Sequence, residues 1–417
     1  MSHSRGSVRE GHAARAVRDH HGGFPLPAGA ARVKILRIDG WDGPTVGGAQ
    51  MYIRRVSLAL DALGHSNITA AIVTHPVPEK LGPVRAFRVP RSPVRQVVAE
   101  VADGGPLTRW LDRLAEEVRP DVIHLHRFQT GFSALGPWLG NRHEPIFFTA
   151  HDAELVCPIS TLTLPDGTAC PGGILPRCQF TGCEVGLGMP LNIARRRSFD
   201  GHVKDRVRSY LCVSHATRRI FENLGYRPTD LLRPMIPVPD EPARVPDGPF
   251  TIGFLGRFER QKGVDVLLNA FESVRRRFPD ARLRFAGSGP VAIPTGNGVS
   301  VDGWVSDDHH WFDGIHALAV PSRPWENLGN SPIEALARGV PVVVTDSGGL
   351  PETVGQFGTV VPPGDSEALA DALTSTWDRY SNARALAAAG REWVRTEFST
   401  ERHVDRLLRV YAGQRAE

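Results

Sequence analysis

Short apolar runs alternate with segments of helical period along most of this chain. The first run, "VKILRID" (Val33 to Asp39), is almost unbroken in apolar character, as suits a strand buried on both faces of a parallel sheet. A Gly-rich loop follows, "GWDGPTVGGAQ" (Gly40 to Gln50), and then "MYIRRVSLALDALGH" (Met51 to His65). In that segment Ile53, Val56, Leu60 and Leu63 recur at helical spacing and Gly64 is placed to end the helix. Further runs are "ITAAIVTH" (Ile68 to His75), "DVIHLH" (Asp121 to His126), "PIFFTAH" (Pro145 to His151) and "SYLCVSH" (Ser209 to His215), with helical or irregular segments between them. Alternation of this kind predicts a parallel α/β sheet.

The pattern stops at "IPVPDEPARVPDGP" (Ile236 to Pro249), which is rich in Pro and acidic residues, has no apolar period and reads as a linker. It then restarts with "FTIGFLGRF" (Phe250 to Phe258), a helix over Val264 to Arg276, "RLRFAGSG" (Arg282 to Gly289) and "VSVDGWV" (Val299 to Val305). A helix over Asp307 to Ile315, "HALAVPS" (His316 to Ser322) and "PVVVTD" (Pro341 to Asp346) complete this half. The pattern predicts an N-terminal Rossmann-like domain over 32–240 and a second over 248–396. The amphipathic tail "ERHVDRLLRVYAG" (Glu401 to Gly413) falls in a final segment, 397–417, expected to be a helix that packs back toward the first domain. In such tandem pairs a ligand sits at the carboxyl ends of the strands, in the cleft between the domains.

Composition changes this picture little. A chain of 417 residues is too long for one core, and 41% hydrophobic with 23% charged residues is ordinary globular usage. No stretch approaches the roughly 20 apolar residues that span a bilayer. The net charge of +4, from 49 basic and 45 acidic residues, is too small to argue for nucleic acid as a partner. The basic runs Arg195 to Arg197 and Arg275 to Arg277 read as solvated helix faces, or else as a surface for an anionic membrane or acceptor. Residues 1–31 lack the apolar region of a secretory signal and read as a disordered arm. With only five cysteines, the expected setting is a reducing cytoplasm, with peripheral contact to the inner face of a membrane as an option; the oligomeric state is not read.

Candidate chemistry concentrates in "SRPWENLGNSPIEALARGVPVVVTDSGGLPE" (Ser322 to Glu352). Ser331 and Glu334 match Ser-x-x-Glu with Pro332 between them, which predicts a capping box opening a helix that ends near Gly339. The small and polar residues Asn327 to Ser331 before that helix predict an anion site, since free amides at a helix start favour phosphate. Glu326, at the end of the preceding strand, suits such a place only if it accepts hydrogen bonds from hydroxyls. A ligand carrying both phosphates and hydroxyls, a sugar nucleotide, satisfies both demands.

Glu326 and Glu334 are spaced as E-x7-E. Together with "GGLPE" (Gly348 to Glu352), "GRFERQKG" (Gly256 to Gly263) and "GGAQ" (Gly47 to Gln50), they make the chain resemble the retaining GT-B glycosyltransferases of family GT4, from Val33 to Ala412. The resemblance implies an enzyme that moves a sugar from a UDP-, GDP-, ADP- or dTDP-linked donor to a hydroxyl acceptor, with no cofactor or metal required for catalysis. The absence of any Asp two residues from another Asp agrees, since metal-dependent GT-A enzymes use such a pair. By the same resemblance Arg257 and Lys262 neutralise the donor diphosphate, Glu326 contacts the donor sugar, and Glu334 contacts the ribose. Backbone amides of Leu328, Gly329, Asn330 and Ser331 hold the pyrophosphate beside Asn327. Gly48 and Gly287, the latter in "AGSGP" (Ala286 to Pro290), let backbone approach the donor. The resemblance also implies that His151 lies at the reacting centre with Glu326; Gln50 and Asp152, and His124 and His126 from their own place at a strand end, are expected to face the acceptor. The acceptor class stays open between a cell-envelope polysaccharide or glycolipid and a secondary metabolite such as an aminocyclitol. A sugar-nucleotide epimerase of the same fold and a non-catalytic sugar-nucleotide binding protein are the alternatives.

Four of the five cysteines, Cys157, Cys170, Cys178 and Cys183, fall in a Pro- and Gly-rich insert over 157–183. Their spacing does not match the usual paired zinc motif. A structural zinc site, disulfides and free thiols all stay open, and the insert is expected at the cleft mouth, facing the acceptor. Cys212, inside an apolar run, is expected in the core.

Overall fold

The computed structural model describes residues 32–416 apart from 42–47, 78–83, 93–94, 96–97, 99–104, 128–131, 158, 165–166, 174–177, 179–182, 184–188 and 306–309. The arm expected over 1–31 and most of the first Gly-rich loop, including Gly47, lie outside the described residues.

The N-terminal half contains β1 (Lys34–Trp41), α1 (Gly48–Ala62), β2 (Ser66–Val73), β3 (Arg85–Arg88), α2 (Pro106–Val118) and β4 (Val122–Arg127). It continues with α3 (Phe132–Gly140), β5 (Ile146–Ala150), α4 (Met189–Val203), β6 (Val207–Cys212), α5 (His215–Asn223) and β7 (Thr229–Leu231). All strand pairs are parallel, in the order β3-β2-β1-β4-β5-β6-β7. Leu36 of β1 pairs with Ile68 on one side and Ile123 on the other, so β1 is central, and helices cover both of its faces. That double cover is why its sequence is a continuous apolar run rather than an alternation. Cys212 is fully buried in β6.

The second half has β8 (Thr251–Leu255), α6 (Val264–Arg277), β9 (Arg282–Ala286), β10 (Val299–Gly303), β11 (Ala317–Val320), α7 (Ser331–Leu336) and β12 (Val342–Thr345). After these come α8 (Leu350–Val354), β13 (Thr359–Val361), α9 (Ser366–Asp378), α10 (Tyr380–Glu397) and α11 (Thr400–Tyr411). This sheet is also parallel, in the order β10-β9-β8-β11-β12-β13. In both sheets the chain reverses its direction of growth beside the first strand, between β1 and β4 and between β8 and β11. Loops leaving such switch points splay apart and leave a crevice. The two crevices face each other.

The last helix belongs to the first domain's core. Val404, Leu407 and Val410 of α11 pack with Ile35, Tyr52, Ile53 and Val56, and Ser399 caps the helix by accepting from the Arg402 amide at 3.1 Å. The segment between the halves is held rather than loose: the Ile236 amide donates to the Phe398 carbonyl at 2.9 Å and the Ala243 amide to the Arg338 carbonyl at 2.8 Å. The expected helix over Asp307 to Ile315 is only a 3-10 turn at His310–Gly314 among the described residues. There the Trp311 indole N–H donates to Asp302 Oδ2 at 2.7 Å, which ties the turn down to β10.

Candidate functional site

A cleft of about 800 Å³ lies between the two domains. Gly48 and Gln50 reach it from the start of α1, and His151 and Asp152 from the end of β5. Arg257 and Lys262 come from the loop after β8, and the run Glu326 to Ser331 from the loop after β11. Residues widely separated in sequence thus meet because each ends a parallel strand or begins the helix after it.

Glu326 is the most constrained of them. Its Oε2 is paired with the Lys262 ammonium and accepts from Ser322 Oγ at 3.1 Å. Both members of the ion pair are largely buried, with 22% and 16% of the side chains exposed. The Glu326 carbonyl accepts from the Gly349 amide at 2.8 Å. A Cβ on Gly348, whose φ is +55°, would lie 2.0 Å from that carbonyl oxygen, so only glycine lets the turn after β12 close on the Glu326 loop. Thr345 Oγ1 donates to the Ser322 carbonyl at 2.6 Å and fixes the loop's start.

Asn327 ties the domains together. Its Nδ2 donates to the His151 carbonyl at 2.8 Å, while its own carbonyl accepts from Ser214 Oγ at 2.6 Å. Across the same boundary the Glu352 carboxylate accepts from the amides of His215 and Ala216, at 2.9 and 3.0 Å, capping α5 from the other domain. Gly48 approaches closely enough that a Cβ there would lie 3.3 Å from Asn330 Nδ2.

The capping box is not formed. Asn330, not Ser331, is the N-cap of α7, and no side chain caps the helix; Ser331 already lies within it, so Glu334 falls one position past the box register. At six residues, about 9 Å long, α7 has a weak dipole, and the cations near its start matter correspondingly more. Lys262 is already engaged, and Arg257 is exposed and paired with Glu259 at 2.8 Å. Glu334 and Gly287 lie outside the cleft lining. The glycine is needed for packing, since a Cβ on Gly287 would sit 1.9 Å from the Gly256 carbonyl oxygen.

His124 and His126, expected to face the acceptor, are fully buried and off the cleft wall. The reason is that β4 is covered on both faces, so the ends of its side chains meet core rather than water. They form a stack behind His151, with ring centroids 4.3 Å apart for His124 and His126 and 5.2 Å for His126 and His151. His126 Nδ1 is hydrogen-bonded to His151 Nε2 at 3.0 Å, and His124 to Thr149 Oγ1 at 2.8 Å and to the Tyr411 hydroxyl at 2.5 Å. Tyr52 bonds His403 Nε2 at 2.9 Å. Burial holds His151 down to about pH 3 and His403 to about 4, and the nearby positive charges of Arg127 and Arg37 act in the same direction. His124 and His126 are pushed well below the usual imidazole range, first by burial and then by charge. At neutral pH these imidazoles are uncharged.

The cysteine insert supplies one wall. Ile159, Ser160 and Thr161 line the cleft, and Gln261 Nε2 bridges the Thr161 and Trp325 carbonyls at 3.3 and 3.2 Å. All five cysteines are free thiols. Of the three readings, disulfides are therefore not found, and among the described residues no group of His, Cys, Asp and Glu gathers to hold a metal ion. Cleft residues that sequence reading passed over are Arg127, Gln261 and Trp325. Each adjoins a quoted motif: Arg127 follows "DVIHLH", Gln261 lies inside "GRFERQKG", and Trp325 precedes Glu326.

Two family descriptions match the chain: "Glycosyltransferase Family 4" over 46–233 and "Glycosyl transferases group 1" over 249–379. The GDP-mannose-dependent alpha-(1-6)-phosphatidylinositol monomannoside mannosyltransferase of Mycolicibacterium smegmatis is 34% identical over 181 residues, 39% of this chain and 47% of the relative. The capsular polysaccharide biosynthesis glycosyltransferase CapM of Staphylococcus aureus is 26% identical over 178 residues, 39% of this chain and 46% of the relative. The matched stretch thus spans about half the length of these relatives. Anabaena HepE, solved with UDP and glucose, superposes over 91% of this chain and 100% of its own, with a TM-score of 0.67 at 15% identity. Sucrose-phosphate synthase from Thermosynechococcus elongatus does so over 92% and 99%, with a TM-score of 0.67 at 19% identity. With a family description matched to each half and two facing parallel α/β domains of the GT-B kind, the chain belongs to the family 4, group 1 glycosyltransferases.

Proposed function

We propose that this protein transfers a sugar from a nucleoside-diphosphate sugar to a hydroxyl acceptor, with retention of anomeric configuration. The observation that carries the proposal is the convergence of the Lys262–Glu326 pair and the loop Asn327 to Ser331 on His151 across the cleft. A diphosphate seated against the amides of Leu328 to Ser331 would draw Lys262 and Arg257 as counter-charges. Both oppose the negative charge that develops on the leaving group, an interaction stronger in the transition state than before it. Released from Lys262, Glu326 accepts hydrogen bonds from sugar hydroxyls. His151, uncharged at neutral pH, meets the sugar as a hydrogen-bonding group rather than as a cation. In this scheme no side chain attacks the sugar; the leaving diphosphate helps deprotonate the acceptor, and the protein contributes position and electrostatics.

Relatives whose names specify GDP-mannose and a phosphatidylinositol mannoside support GDP-mannose as the first donor to try and a lipid-linked or envelope acceptor. Acceptor entry past Ile159 to Thr161 agrees with their place on the cleft wall. The test is mass-spectrometric detection of product from purified protein, a panel of GDP-, UDP-, ADP- and dTDP-sugars and acceptors of both classes. Proton NMR then gives the anomeric configuration. Transfer with retention that is lost in Glu326→Ala is the expected result. An inverted product, or transfer unchanged in Glu326→Ala, refutes the scheme.

A further inference from the structure

Behind His151 lies a polar group that the proposed chemistry does not use. His126 is fully buried in β4, its ring stacked against His151 with centroids 5.2 Å apart and an interplanar angle of 28°, and its Nδ1 is 3.0 Å from His151 Nε2. The other ring nitrogen, His126 Nε2, is buried with no hydrogen-bond partner among the described residues. Two neutral imidazoles can share this bond in only two ways. If His151 Nε2–H donates, His126 must carry its proton on Nε2, which leaves a buried N–H with nothing to accept it. If His126 Nδ1–H donates, its Nε2 is a bare lone pair. An orphaned buried donor is the rarer of the two. The second arrangement also places the His151 proton on Nδ1.

We propose that His126 is a positioning residue that fixes the tautomer of His151, so that His151 presents Nδ1–H as a hydrogen-bond donor to the ligand in the cleft. The geometry points to a ligand acceptor atom, a sugar hydroxyl or ring oxygen, rather than to a proton to be abstracted: with Nε2 occupied by His126 and Nδ1 protonated, His151 has no free lone pair. This rests on the proposed sugar transfer for its kinetic consequence but not for the tautomer itself. His151 is additionally held by its carbonyl, which accepts from Asn327 Nδ2, and by Tyr52, whose ring lies 4.8 Å away edge-on. The ring's position is therefore set from three sides, while His126 alone among these contacts selects which nitrogen carries the proton.

Two measurements test it. In protein labelled with 15N-histidine, long-range 1H–15N correlation spectra report each ring's tautomer, and the His151 signals are assigned by their loss in His151→Gln. The expected pattern is a protonated Nδ1 and an unprotonated Nε2 for His151. The reverse pattern overturns the proposal, whether or not the protein turns over any sugar nucleotide. Kinetically, His126→Leu removes the donor, and His126→Asn restores an N–H near the place of Nδ1. The expected result is a kcat at least tenfold lower for His126→Leu with donor KM within threefold, and recovery of most of the loss in His126→Asn. Equal losses in both variants, with the wild-type tautomer retained, assign His126 to packing alone. Absence of turnover in the wild type counts against sugar transfer and leaves the spectra to decide the tautomer.

Discussion

Replacing Lys262 by methionine keeps most of the side chain's length and removes its charge, leaving Glu326, 16% exposed, with Ser322 Oγ as its remaining named partner. Breaking a fully buried pair by removing one partner costs about 3–5 kcal/mol, and an exposed pair is worth about 0–1 kcal/mol. With about a fifth of each side chain exposed, Lys262→Met should lower stability by about 2 kcal/mol, between those limits. The double variant Lys262→Met with Glu326→Gln removes the stranded charge and should recover most of that loss. Urea unfolding of the wild type, both single variants and the double variant closes a cycle whose coupling energy is expected near 2 kcal/mol. Singles that add to within about 0.5 kcal/mol show that the two groups do not interact and refute the reasoning.

Three further outcomes follow from the geometry. Glu352→Ala leaves the amides of His215 and Ala216 without their cap and should cost about 0.5–2 kcal/mol, read as a lower midpoint in denaturation; it should also widen the cleft in small-angle scattering. Gly348→Ala drives a Cβ into the Glu326 carbonyl at a positive φ, and transfer should fall at least a hundredfold; activity within threefold of wild type counts against the close approach. His124, His126 and His403 are buried and neutral, with folded pKa values below the unfolded value of about 6.5. The unfolded chain therefore binds more protons below that pH. Stability should be complete above about pH 6.5 and fall as pH drops toward 4, by up to about 4 kcal/mol per unit for three such groups. Urea midpoints that stay level between pH 7 and 5 contradict this.

Much of the architecture was legible because parallel strands buried on both faces announce themselves as apolar runs: "VKILRID" and "DVIHLH" lie in β1 and β4. Two edge strands without that cover, β3 and β13, were not legible. Both arginines of β3 are exposed, and β13 buries only Val361, so neither carries a distinguishing period. The motif residues Lys262, Glu326 and Asn327 to Ser331 meet His151 because strand ends collect ligands. The histidines of β4 misled because strand position tells which residues are near the crevice, not whether another element covers them. His126 lies directly behind His151, and its role becomes readable only when the hydrogen bond between β4 and β5 is seen. The capping box failed by one residue, a shift that sequence spacing cannot resolve at a helix this short.

Isothermal titration of GDP-mannose and UDP-glucose into the wild type and into the double variant Arg257→Ala with Lys262→Ala tests the site most directly. One nucleotide sugar is expected to bind the wild type, and its Kd should rise at least tenfold when both cations are removed, in line with about 1.5–3 kcal/mol for each charge-assisted contact to a phosphate. Binding to the double variant within threefold of wild type would contradict a diphosphate site at this cleft.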